Sequence, residues 1–156
     1  MKLRLISIAE LPAFVQSTAF QQLSKIPITP LRAISQSHNP RAEKEDIALV
    51  IAEDEAGQLL SYMGCLPDRL AAAPEVKICW CSCWWTDPEK GQAAAIPVFY
   101  KALESWGGNM FFDALPPHSV AILERLKFVD FKNIPGVQYN SRFKFAKALP
   151  LSLIHI

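Results

Sequence analysis

"WCSCWWTDPEKGQAAAIPVFYKAL", residues 80–103, opens with Trp80, Trp84 and Trp85 interleaved with Cys81 and Cys83, turns at Asp87-Pro88 and runs on past Gly91 and three alanines. The alternation reaches back to Glu75. Val76, Ile78, Trp80, Ser82 and Trp84 point one way, and Lys77, Cys79, Cys81, Cys83 and Trp85 the other, which is the period of a strand. Apolar residues on both sides near its end predict a central strand. A helix is then expected over Ala93–Trp106, with Ala95, Val98, Phe99, Ala102, Leu103 and Trp106 on its buried stripe. Pro97 is assigned to the first turn, where its missing N–H costs nothing. Gly107-Gly108 supplies the stop.

Working outward, residues 2–8 alternate as a first strand, and Leu11, Phe14, Val15, Ala19, Phe20 and Leu23 share one helical face over 11–23. Thr29-Pro30 reads as a cap and first-turn proline of a short helix ending near Ser37. Residues 46–53 and 58–66 form an expected hairpin around DEAG, followed by a loop over 67–74. Beyond the central helix, strands are predicted over 109–115, 129–131 and 137–147, with a helix over 117–126. The fold class is therefore α+β: a mixed, mostly antiparallel central sheet with helices on both faces.

The chain has 156 residues, half of them hydrophobic, with 16 basic residues against 15 acidic ones. That balance argues against nucleic acid or an anionic membrane as partner. No export signal and no apolar run of about 20 residues is evident, so the expectation is a cytoplasmic protein with reduced thiols. "LSLIHI", residues 151–156, is the in-frame translation of CTGTCTCTTATACACATC, which resembles the transposon-end adapter of sequencing libraries. Residues 151–156 are accordingly read as a non-native tail, and 1–150 as a single domain that continues in a longer protein.

The element order, with the turn at 83–96, resembles the GCN5-related N-acetyltransferase superfamily. In that family a central strand leads into R/Q-x-x-G-x-G/A at a helix N-terminus, whose amides bind the pyrophosphate of acetyl-CoA. Free N–H groups and the positive end of the helix dipole attract phosphate, and small residues let the backbone approach. Here Glu89-Lys90-Gly91-Gln92-Ala93-Ala94-Ala95 occupies that place, in a loop one residue shorter than the common pattern. A second block, Leu123-Glu124-Arg125-Leu126-Lys127-Phe128, is similar to the family's Tyr-Glu-Lys-Leu-Gly-Phe, with Leu123 where the family often has a proton-donating tyrosine and Lys127 in place of glycine.

The resemblance implies an acyl-CoA N-acyltransferase-like protein with acetyl-CoA as acyl donor and a small-molecule or protein amine as acceptor. It implies that Lys90, Gly91, Gln92, Ala93, Ala94 and Ala95 hold the pyrophosphate, and that the backbone near Cys83, Trp84 and Trp85 holds the pantetheine arm. Amine acylation requires positioning, removal of a proton and stabilisation of an oxyanion. Asp113, Glu75 and Cys83 are the candidate catalytic side chains, the carboxylates as bases and Cys83 for its place beside the thioester. Arg32, Gln36, His38, Asn39 and Arg41 border the expected acceptor cleft, though an ordinary capped helix and turn explains them equally well. No metal site is expected, because thiols along a straight strand do not converge on one ion. The alternative to an enzyme is a non-catalytic acyl-CoA-binding or interaction domain.

Overall fold

The computed structural model describes residues 1–23, 25–112 and 117–129, which fall in two compact units, Met1–Ala114 and Leu115–Ile156. In the first unit the strands β1 (Lys2–Ser7), β2 (Ile47–Glu53), β3 (Leu59–Leu70), β4 (Ala73–Thr86) and β5 (Met110–Phe111) lie side by side in chain order. The first four are antiparallel, and β5 joins β4 in parallel, which makes the sheet mixed as its class requires. A parallel neighbour needs a crossover, and helix α4 (Gln92–Ser105) supplies it.

The predicted helix over 11–23 is in fact two: α1 (Leu11–Gln16) and α2 (Thr18–Gln21). Ser17 divides them. Its backbone is extended, and its hydroxyl accepts from Phe20 N–H while donating to the Phe14 carbonyl, so it closes one helix and caps the next. Helix α3 (Pro30–Ser37) starts as its sequence suggested, with the Thr29 side chain accepting from Arg32 N–H. The loop expected over 67–74 is instead strand, because β3 and β4 stay paired down to Leu70 and Ala73. Near its turn, Arg69 and Lys77 of this hairpin form ion pairs with Glu43 and Asp46.

Pro97 sits inside α4 and not in its first turn. It offers no N–H to the carbonyl four residues back, at Ala93, so the helix depends on packing there. Val98, Phe99 and Ala102 are fully buried, and the Trp106 indole donates to the Ile47 carbonyl, fixing the end of α4 to β2. Gly107 and Gly108 then take positive φ, and their N–H groups return to Glu104 and Leu103, a C-terminal cap that satisfies the last carbonyls.

One irregularity overturns the predicted facing of the cysteines. Gly64 pairs with Cys83 and Cys65 with Cys81, so Ser82 is an extra residue in β4, a bulge. Adjacent residues of β3 face opposite sides, so their partners do too. Cys79 and Cys81 share the α4 side with Trp84, whose ring packs 5.5 Å from Phe99. Cys83 turns to the other side with Trp85, against a core built from α1, α2 and residues such as Ile28, Ala33 and Tyr62. Gly64 is what admits the bulge, since a Cβ there would overlap Ser82 Oγ and Cys83 Sγ. Helices thus cover both faces.

In the second unit, α5 (Pro117–Arg125) agrees with the expected helix. It ends on Lys127 at φ 60°, with Lys127 N–H returning to Glu124 and Phe128 N–H to Leu123. This is the left-handed conformation that favours glycine, at the position where the resembled motif has one. The predicted strand over 109–115 is seen as Met110–Phe111. Asp113, the strand over 137–147, residues 130–131 of the other and the 151–156 tail lie outside the described residues.

Candidate functional site

The two ends of β4 have different neighbours. Only Cys79 and Trp80 pair with β5, and Cys79 N–H also donates to the Asn109 carbonyl. From Cys81 to Thr86, the edge of β4 away from β3 has no strand partner among the described residues. An edge without a strand partner offers backbone donors and acceptors to an extended ligand. The strand then leads through Asp87–Lys90 to the N-terminus of α4.

Asp87 organises that loop. Its N–H donates to the Leu60 carbonyl at 2.8 Å and its carbonyl accepts from Gly91 N–H at 2.9 Å. Its carboxylate accepts from Lys90 N–H at 2.8 Å and Glu89 N–H at 2.9 Å, and these bonds hold the carboxyl below the usual carboxylate range. Of the predicted pyrophosphate amides, then, Gly91 is occupied and Ala94 donates to the Gly91 carbonyl. Gln92 and Ala93, both exposed, are left without a backbone acceptor among the described residues, at the positive end of a 14-residue helix. Lys90 is exposed beside them.

Gly91 itself serves the fold. It is buried, and a Cβ on it would overlap the Leu60 carbonyl oxygen and the backbone of Asp87. Its smallness lets the loop close on β3.

Of the candidate catalytic side chains, Cys83 and Glu75 lie far apart, and Asp113 is outside the described residues. Cys83 is half-buried, and its thiol donates to the Pro27 carbonyl at 3.8 Å. Glu75 lies eight residues back along β4, roughly 26 Å at strand rise. There it is exposed on the rim of an open groove of about 590 Å3 that also takes in Asp46, Lys77, Trp106 and Asn109. Burial, with Cys65 and Cys83 adding to it, pushes the Cys81 thiol up to about 12. A hydrogen bond with Cys65, together with burial, raises that of Cys79. These two thiols are protonated and act as small hydrophobes.

The five expected acceptor-side residues divide by what holds them. Asn39 donates to the Pro67 carbonyl and accepts from Arg41 N–H, tying the end of α3 to β3. Arg41 pairs with Asp68 at 2.6 Å, and the His38 ring meets the Ile34 carbonyl at 2.8 Å. Arg32 is exposed. Gln36 differs: it is buried, and its Oε1 has no hydrogen-bond partner among the described residues.

Tyr62 and Lys25 were not singled out by the sequence. Tyr62 pairs with Trp85 across the strands and stacks on it, centroids 5.5 Å apart, while the Lys25 ammonium lies 5.8 Å from the centroid of the Trp85 ring. The alternation of β3 places Tyr62 on this face, but the register that sets it against Trp85 depends on the bulge.

No protein-family model matches the sequence, and a search of curated proteins finds no match. Solved structures do match. Glucosamine-6-phosphate N-acetyltransferase from Arabidopsis thaliana is 14% identical, covering 90% of this chain and 98% of its own, with a TM-score of 0.52. Aminoglycoside 6'-N-acetyltransferase from Acinetobacter baumannii is 12% identical over 90% and 99%, also at 0.52. The chain has the GCN5-related N-acetyltransferase fold, in a divergent sequence. An integron cassette protein from the mobile metagenome of V. cholerae is similar at 9% identity over 96% of both chains and a TM-score of 0.52. At such identities the likeness is one of fold. No helix among the described residues is long and apolar enough to cross a membrane.

Proposed function

We propose that this chain is a cytoplasmic acyl-CoA-dependent N-acyltransferase that moves an acetyl group to the amine of a small molecule or protein. The observation that carries the reading is the outer edge of β4, unpaired by any described strand from Cys81 to Thr86 and running directly into the N-terminus of α4. An acyl-CoA is an extended, amide-bearing arm joined to a pyrophosphate, and this edge offers backbone groups for the arm and N–H groups for the phosphates. Gln92 and Ala93 amides with the Lys90 side chain would hold the pyrophosphate, and the backbone of Cys83 to Trp85 the pantetheine. Acetyl-CoA, when bound, supplies an acyl group activated as a thioester.

The chain's part is then to orient the amine and to exclude water. Trp84, packed on Phe99, makes the α4 side of the strand end apolar, which favours the neutral amine needed for attack. The protonated thiols Cys79 and Cys81 have no step in this scheme.

A second reading is a non-catalytic acyl-CoA-binding or interaction domain. Two observations favour it: Asp87 occupies the Glu89 and Lys90 amides, and Leu123 stands where the family often has a tyrosine. Thermal unfolding with and without CoA tests both readings, since a ligand of the folded state raises the melting temperature by mass action. Absence of any shift at millimolar CoA sinks both. Release of free thiol that depends on added amine then separates enzyme from binder. Lys90→Glu is expected to reduce the shift while leaving the unliganded melting temperature in place.

A further inference from the structure

The connection between α2 and α3 crosses the end of β4 on the side away from α4. Cys83 Sγ donates to the Pro27 carbonyl, and two residues earlier Lys25 reaches over Trp85 with its ammonium 5.8 Å from the ring centroid. The indole is held in place by Tyr62, which is buried and stacked on it at an interplanar angle of 26°. Trp85 is half-buried, so its ring is both positioned and accessible. An aromatic face attracts a cation within about 6 Å of its centroid, and tryptophan does so best.

Lys25 has no carboxylate in ion-pair range among the described residues, in contrast to Lys77, which has two, and Lys101, which has one. The indole is its described partner. Lys25 is exposed, on a long flexible stem, and held by a contact of this single kind. Another cation at moderate concentration competes with such a contact.

We propose that the Tyr62–Trp85 stack is an ammonium seat for the acceptor substrate, with Lys25 as its built-in, displaceable occupant. In its role the seat rests on the reading of β4 given under the proposed function, because Trp85 lies on the part of the strand assigned to the acyl donor. The chemistry narrows the substrate further. An ammonium on an indole face is stabilised in its charged form, and a charged nitrogen has no lone pair with which to attack a thioester. The seat therefore takes the nitrogen that does not react, and the acceptor carries two amines. An aliphatic diamine is the class that fits.

The test uses the full chain without CoA and 1,4-diaminobutane as probe, with affinity read by titration calorimetry. Lys25→Met removes the occupant and is expected to tighten binding by about two- to fivefold, the range of an exposed cation–π contact. Trp85→Leu is expected to abolish binding. Where that variant unfolds, Trp85→Phe keeps an aromatic ring and is expected to bind several-fold more weakly than wild type. Unchanged or weaker affinity in Lys25→Met, undiminished affinity in the Trp85 variants, or no binding to either wild type or Lys25→Met would overturn the proposal. The thermal shift with CoA is run in parallel. Diamine binding without a CoA shift removes the acyltransferase reading alone, and a CoA shift without diamine binding removes the seat alone.

Discussion

The lower part of β4, from Ala73 to Trp80, and the upper part, from Cys81 to Thr86, belong to one strand but are held in different ways. The lower part is paired with β3, meets β5 at Cys79 and Trp80, and is tied by Lys77 to Glu43 and Asp46. The upper part is paired on one edge only among the described residues, kinked by the Ser82 bulge, and supported by aromatic rings on both faces. Packing supports the second where the described ladder is one-sided, and under the proposed function that edge meets the acyl donor. A strand in that role has to be rigid without being fully paired.

The comparison breaks most severely at Gly91, which seats the loop at the upper end. Gly91→Ala forces a methyl group into the Leu60 and Asp87 backbone and is expected to cost about 3 kcal/mol, read from urea unfolding. A neutral effect would show that the loop does not close on β3 as described. The thiols come next. Cys79→Ser places a hydroxyl at a fully buried position of the lower part and should cost roughly 1–3 kcal/mol, whereas Cys83→Ser, half-buried beside the Pro27 carbonyl, should cost about 1 kcal/mol or less. Equal effects would erase the distinction between the two parts.

Acid sharpens it from the other side. Hydrogen bonds from Lys77 and Arg69 hold the Glu43 carboxyl below its ordinary 4.5. A folded-state value that is depressed contributes stability above the unfolded value and loses it as pH falls through the folded one. Amide protection in the lower hairpin, around Arg69 to Ile78, should therefore fall between about pH 5 and about pH 3 more than in β2. Glu43→Gln should flatten that dependence. The smallest effect lies outside the sheet: Lys127→Gly relieves a left-handed lysine and is expected to stabilise by about 1 kcal/mol, seen as a higher midpoint in urea.

Much of the architecture was legible because period and caps are local. The strand over 75–85, the Thr29-Pro30 cap and the Gly107-Gly108 stop each appear in the structure at or within a residue or two of their predicted places. Lys127, which stands where the resembled motif has glycine, adopts the left-handed backbone that glycine favours. The errors arose where a residue's role depends on partners distant in the chain. Pro97 is tolerated inside α4 because Val98, Phe99 and Ala102 anchor the helix to the sheet, and residues 67–70 pair as strand with Asp68 held by Arg41 and Arg69 by Glu43.

The amino-acid sequence by itself determined the mixed sheet, its central strand and the helix that begins beyond Gly91, because hydrophobic period and capping chemistry act over a few residues. Only the tertiary structure decided which way Cys83 and Trp85 face and which amides before α4 are already taken. The first follows from a one-residue bulge opposite Gly64, invisible to an alternation that continues unbroken through Ser82. The second follows from the Asp87 carboxylate, which turns back on Glu89 and Lys90 once β3 holds its backbone in place.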